Sequence, residues 1–307
     1  LKKSIVLALI KSISGIRGTI GGKPDHALTP IDIVKYSAAF GSWVMEKTKN
    51  PKIVIGRDAR ISGEMVSNLV VNTLQALGMQ VIDLGLSTTP TVEMAVTMEQ
   101  AGGGIIITAS HNPREWNALK LLNHEGEFIS GTDGEQVLEK GNQGDVVFAD
   151  VTKLGTVTRD DSYREKHVEA ILNHPLVDKD LIASKNFKLV VDGINSTGST
   201  FVPYLLEQLG VKQIEVINAE VNGKFNHNPE PLPENLNEIS NTVVKHKADL
   251  GIVVDPDVDR LCFVCEDGSM FGEEYSLVAI ADYMLSNKKG NTVSNMSSTR
   301  ALKDITL

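Results

Sequence analysis

The sequence predicts a tandem α/β protein: two similar units with mixed, mostly parallel sheets, then the start of a third. Three observations carry that reading. The stretches KIVIGRDARISGEMVSNLVVNTLQALGMQVIDLG at 52–85 and KLVVDGINSTGSTFVPYLLEQLGVKQIEVIN at 188–218 share one layout of short β-branched strand, polar loop with glycine, amphipathic helix and second strand. Each is followed by a helical stretch, an apolar strand and a loop rich in polar side chains. The 307 residues give room for about two compact domains.

The elements are expected in this order. Ile5 to Ile10, behind Lys2 and Lys3, is too short to span a bilayer, and Lys11 follows with no small-residue cleavage site, so an opening strand is expected. SGIRGTIGG reads as a glycine-rich turn after it. In the first unit the strand from Lys52 leads through a loop with Gly63 to a helix closing at Leu77-Gly78, where glycine suits a left-handed cap. A second strand, a helix from Pro90, the strand GGIIITA and a loop opening at Ser110 complete it. EKGNQGDV at 139–146 reads as a linker or loop, with helical periodicity resuming from Ser162 to Leu172. The second unit repeats the plan from Lys188, with Gly198 and Leu209-Gly210, a helix over 233–247, the strand LGIVV and the loop DPDVDR. From Phe271 come a helix over 273–289 and a strand over 291–297, too little to bury a core. The expected domains are therefore 1–155, 156–268 and an incomplete 269–307, with the C-terminal part missing.

Composition narrows the partners. Hydrophobic residues make up 41% and charged residues 22%, and the formal net charge is −9. That balance argues against nucleic acid or an acidic membrane, which want a basic face. An anionic small molecule fits if a few Arg and Lys converge. Cys262 and Cys265, in a strand, point to opposite faces, and no second cysteine pair offers a zinc site, so both read as buried thiols. Nothing points to export, and a cytoplasmic protein is expected.

Two loops hold the chemistry. DPDVDR places Asp255, Asp257 and Asp259 directly after an apolar strand. The spacing matches the start of an EF-hand loop, with Glu266 at the twelfth position, but Arg260 stands where that loop needs glycine and strands flank it. The three carboxylates form either a solvated acidic turn or a site for a hard divalent cation that offsets their repulsion. Ser110, in TASHNP, is either a turn or cap hydroxyl or a nucleophile activated by a base or a metal. The fragment lacks the G-x-S-x-G pattern of a hydrolase elbow. Arg17, Arg57, Arg60, Lys120 and Arg260 lie in expected loops where a phosphate could meet them, although each taken alone reads as a surface charge.

Together, GIRG at 15–18, GRDARISG at 56–63, TTP at 88–90, TASHNP at 108–113, HNPEPLPENL at 227–236 and DPDVDR at 255–260 resemble the α-D-phosphohexomutases. The resemblance covers nearly the whole chain in order. It implies a mutase that interconverts hexose 1-phosphate and hexose 6-phosphate, with a hexose 1,6-bisphosphate as intermediate and activator. It implies that Ser110 carries the phosphoryl group and that Asp255, Asp257 and Asp259 bind Mg²⁺ with it. Arg260 would support that loop, Arg17 and Lys120 would assist proton transfer and charge stabilisation, and His111 would shape the site. Two spacers depart from the family pattern, since Pro256 and Val258 stand where glycine is common. GEEYS at 272–276 only approximates the family's sugar-contacting loop and comes too early, and the family's fourth domain is expected to be missing from this sequence. Glucose, mannose and glucosamine phosphates all remain as substrates, with SISGIRGTIGG leaning to glucosamine. A metal-dependent phosphatase and a non-catalytic sugar-phosphate binder are the rival classes, and the oligomeric state is left open.

Overall fold

Apolar β-branched runs in the middle of each unit become the central strands of a sheet, and the amphipathic stretches between them become its covering helices. The computed structural model describes residues 8–12, 15–296 and 298–306. β1 (Leu9–Ser12) pairs antiparallel with β2 (Gly15–Thr19). The expected opening strand is thus seen from Leu9, and residues 5–7 lie outside the described residues. α1 (Pro30–Thr48) begins with a capping box between Thr29 and Asp32. Then come β3 (Lys52–Arg57), α2 (Gly63–Ala76), β4 (Gln80–Leu86), α3 (Thr89–Met98), β5 (Gly103–Ile107), β6 (Trp116–Leu122), α4 (Gly131–Gln143) and β7 (Val157–Arg159). The first sheet runs β1-β2-β6-β5-β3-β4-β7.

The second unit contains α5 (Tyr163–Leu172), α6 (Lys179–Ser184), β8 (Lys188–Asp192), α7 (Gly198–Gln208), β9 (Gln213–Ile217), α8 (Asn237–His246), β10 (Leu250–Val254) and β11 (Leu261–Cys265). Its sheet runs β11-β10-β8-β9. The repeat is topological: β4-β3-β5-β6 and β9-β8-β10-β11 have the same order, two parallel pairings and then one antiparallel. Ile53, Ile55 and Ile105, all fully buried, meet α1 and α2 on one face of the first sheet, while Val54 and Ile106 meet α3 on the other. The tandem α/β architecture follows from that pattern.

Several local expectations need correction. Gly15–Thr19 is a strand, not a turn, and Ser14 lies outside the described residues. Its glycine reports close approach: a Cβ on Gly15, at φ 117°, would lie 2.1 Å from the Leu119 carbonyl oxygen. The turn falls later, at 23–26, where His26 N donates to the Lys23 carbonyl at 3.1 Å. Most of 139–146 is helix, because α4 continues to Gln143 and is closed by Gly144 at φ 69°. The boundary expected at 155/156 falls just before β7, which pairs with β4 and extends the first sheet. The expected helix over 233–247 is a short 3-10 turn, Pro233–Asn235, and then α8. α9 (Glu273–Asn287) and α10 (Ala301–Ile305) follow the second unit. Residues 291–296 form no strand and Ser297 lies outside the described residues. A β-branched pattern becomes a strand only beside a ladder partner. Cys262 is buried, whereas Cys265, at the end of β11, is only partly so.

A strap of second-unit residues, 218–230, leaves β9 and returns along the ends of both sheets. Its anchor is buried Asp192, which accepts from Ile194 N at 2.9 Å, Asn218 Nδ2 at 3.0 Å and His227 Nε2 at 2.8 Å. Burial works against a charged His227, but the Asp192 carboxylate outweighs it and raises the imidazole above its ordinary value. The pair therefore contributes fully below the unfolded value of about 6.5 and fades as pH rises through the higher folded value. His227→Gln should lose about 1.5–3 kcal/mol of stability at acidic pH. Urea denaturation at about pH 5.5 and about pH 9 checks this, since the loss should shrink at the higher pH.

Candidate functional site

Ser110 sits three residues past the end of β5, at the carboxyl edge where parallel α/β sheets place their ligands. Its backbone takes the left-handed conformation, φ 49°, which a non-glycine residue adopts only when its surroundings hold it there. Thr108 Oγ1 accepts from Ser110 N at 3.0 Å and donates to the buried Asp58 carboxylate at 2.7 Å. Arg60, expected as a surface charge, is fully buried beneath the loop and donates to the carbonyls of Ser110 and Asn112. Arg57 turns back to the Asp58 carbonyl at 3.1 Å.

The aspartate loop occupies the equivalent position past β10. Asp255 Oδ1 accepts from the backbone N–H of Asp259 and of Arg260, both at 3.1 Å, and so closes the turn on itself. Ser196 and Thr197, ahead of α7, donate to the Pro256 carbonyl at 2.6 and 2.9 Å. Val258 adopts φ 63°, a left-handed conformation that favours glycine and costs another residue about 1–2 kcal/mol of backbone strain.

The two loops meet. Ser110 Oγ donates to Asp255 Oδ2 at 2.7 Å and lies 3.5 Å from Asp259 Oδ1. Lys120 reaches in from β6, so it is a strand residue and not a loop residue, and its ammonium donates to Asp257 Oδ2 at 2.7 Å and Asp259 Oδ2 at 2.8 Å. Arg17, on β2, donates to Asn112 Oδ1 at 3.1 Å. Arg17, Ser110, His111, Lys120 and Phe128 line one cavity of 230 Å³. His111 Nδ1 is 3.4 Å from Ser110 Oγ. Arg260, at the end of the aspartate loop, has its guanidinium 3.6 Å from Glu230 of the strap. Thr89, the first residue of α3, was legible only as part of TTP; its backbone N–H donates to the Asp257 carbonyl at 2.8 Å and its hydroxyl to Asp257 Oδ2 at 2.6 Å.

Charge dominates this space. Asp255 and Asp257 are fully buried, and ligand oxygens of Asp255, Asp257 and Asp259 all lie within 4.8 Å of one another. Burial, with the neighbouring charges of Asp257 and Asp259, pushes the Asp255 carboxyl well above the usual range. Burial also acts on Asp257, but the Lys120 ammonium overrides it and holds that carboxyl low. Lys120 is raised in turn, because both aspartates outweigh its own burial. Glu93 of α3, half-buried near the cluster, is pushed up to about 7, chiefly by burial. Asp257 Oδ1 is buried with no hydrogen-bond partner. An orphan carboxylate oxygen beside two further carboxylates is a donor set that fits a hard divalent cation.

Residues 9–145 match the family model described as phosphoglucomutase/phosphomannomutase, alpha/beta/alpha domain I, and residues 165–268 match domain II. The chain is 36% identical over 293 residues to a phosphoglucomutase/phosphomannomutase of Thermococcus kodakarensis, covering 94% of this chain and 63% of that protein. It is 33% identical over 294 residues to a probable phosphoglucosamine mutase of Methanopyrus kandleri, covering 95% of this chain and 62% of that protein. A putative phosphomannomutase from Thermus thermophilus shares the fold, with TM-score 0.83 and 24% identity over 98% of this chain and 67% of that one. The chain belongs to the α-D-phosphohexomutase family. It spans less than two thirds of the length of these curated relatives. Among the described residues no helix is long and apolar enough to cross a membrane.

Lys120 is the internal counter-ion of the aspartate cluster. Lys120→Met in metal-free buffer should therefore lose about 3–5 kcal/mol, the cost of leaving buried charge uncompensated. Saturating Mg²⁺ should restore most of that loss in urea denaturation. An equal loss with and without the cation would show that Lys120 and the cation site do not share the same carboxylates.

Proposed function

We propose that the chain carries the phosphoryl-transfer centre of a phosphohexomutase that interconverts hexose 1-phosphate and hexose 6-phosphate. The observation that carries the reading is the 2.7 Å hydrogen bond from Ser110 to Asp255, which joins loops 145 residues apart in sequence. Neither a cap hydroxyl nor a solvated acidic turn accounts for that meeting. In this reading Asp255, Asp257 and Asp259 hold Mg²⁺ together with a phosphoryl group on Ser110. Mg²⁺, when bound, would neutralise the crowded carboxylates and draw charge off the phosphoryl oxygens.

The chain's own residues do the rest by position and charge. Ser110 gives its phosphoryl group to the free hydroxyl of a hexose phosphate and takes the other phosphoryl back from the resulting hexose 1,6-bisphosphate. Arg17 and Lys120, lining the same cavity, face the transferring oxygens with positive charge and assist the proton transfer by stabilising the oxygen that loses its proton. His111 shapes the wall beside Ser110, and Arg260 supports the aspartate loop against the strap. Glucosamine phosphate is the second substrate reading, favoured by the several relatives named as probable phosphoglucosamine mutases. A sugar-phosphate substrate also fits a cytoplasmic setting.

Mass spectrometry of the purified protein should find phosphate on Ser110, and Ser110→Ala should lower isomerisation by about 10³-fold or more. Assays with glucose, mannose and glucosamine phosphates, with a hexose 1,6-bisphosphate as activator, assign the sugar. Release of inorganic phosphate without isomerisation would make the protein a phosphatase instead, and absence of phosphate at Ser110 would leave only a binding module.

A further inference from the structure

We propose that Arg60 is the positioning residue that sets Ser110, and that the second unit locks it in place by laying Phe225 over its guanidinium. The readout below rests on the phosphoserine reading, but the placement itself rests on geometry alone. A guanidinium has five N–H donors in a fixed plane. In Arg60 all five are taken. Nε donates to Asp58 Oδ2 at 3.0 Å, one terminal nitrogen to the carbonyls of Pro113 at 2.8 Å and Trp116 at 3.0 Å, and the other to those of Ser110 and Asn112. The four carbonyls span the whole turn from Ser110 to the first residue of β6. One planar group therefore fixes the backbone that holds the reacting hydroxyl in its left-handed conformation.

The side chain is fully buried, so these bonds face no competition from water, and Asp58 balances the charge. The lock comes from the strap. Phe225 lies 5.1 Å from the guanidinium carbon, and a Cβ on Gly223, at φ 66°, would come within 2.1 Å of the Ala59 carbonyl oxygen. Ala59 N donates to Ser196 Oγ at 3.2 Å, and the same hydroxyl donates to Pro256 O in the aspartate loop. Arg60 is thus clamped between the serine it positions and the unit that supplies the aspartates. Lysine, with three donors on a point charge, cannot replace it.

The test uses the full chain and two readouts. Transfer of labelled phosphoryl from a hexose 1,6-bisphosphate to Ser110 should be about 100-fold slower in Arg60→Lys and in Arg60→Ala. Sub-denaturing guanidinium ion should restore part of the rate in Arg60→Ala, and ammonium ion should not. Amide hydrogen exchange over residues 108–117 should rise in both variants, while α1 keeps its protection. Phe225→Leu keeps all five hydrogen bonds and should slow labelling by about threefold to tenfold, so the claim stays testable where an Arg60 variant fails to fold. Labelling within about twofold of wild type in either Arg60 variant, or unchanged exchange over 108–117, would overturn the proposal. A wild-type rate in Phe225→Leu would remove the lock. If the wild-type chain takes up no label at all, the mutase reading fails, and the exchange data still decide the placement.

Discussion

Three carboxylates share a space 4.8 Å across at the junction of two sheets, and the rest of the site answers that crowding. In a poorly solvated pocket their mutual repulsion is worth several kcal/mol, so the arrangement persists only with compensation. The compensation comes from three directions. Lys120 enters from β6, Thr89 donates from α3 to Asp257, and Ser110 donates to Asp255, while the loop's own N–H groups at Asp259 and Arg260 close on Asp255. The first unit thus supplies donors to a negative loop that the second unit has built. The interface between the units is held less by apolar surface at this point than by charge seeking partners.

The duplicated topology explains why the two loops can meet. In each copy the loaded loop follows the central strand that pairs parallel on one side and antiparallel on the other, β5 in the first and β10 in the second. Both therefore leave their sheets at the carboxyl ends, where backbone groups are unpaired and side chains can converge. Hydroxyls from the second copy then tie the arrangement together. Ser196 touches the Arg60 loop and the aspartate loop with the same oxygen, so the two cannot shift independently.

Much of this was legible in the chain, and what was not follows a physical rule. Ser110 and the three aspartates were readable because their chemistry is compressed into short segments, and because carboxylates at alternate positions after an apolar strand demand an explanation. The tandem units were readable because buried strands and amphipathic helices have different periods. Arg60 was misread, since its four carbonyl acceptors lie some fifty residues further on and a charge looks solvated until its partners are known. Thr89 shows the same limit, acting on a residue 168 positions away. Arg17 reads as a turn residue because glycine marks both turns and places where backbones press together. The strand expected over 291–297 failed for the opposite reason, because pattern alone cannot provide a neighbouring strand.

The 2.7 Å bond between Ser110 and Asp255 also makes the centre an intramolecular binding event. Each copy builds its own sheet, yet neither holds the whole cluster of Ser110, Lys120 and the three aspartates. The halves are ligands for one another, held at the high effective concentration that a tether confers. A disturbance that weakens their docking can therefore part the two loops while both cores remain folded. For this protein, thermal resistance of the fold and persistence of the shared cluster are separate quantities, governed by different surfaces.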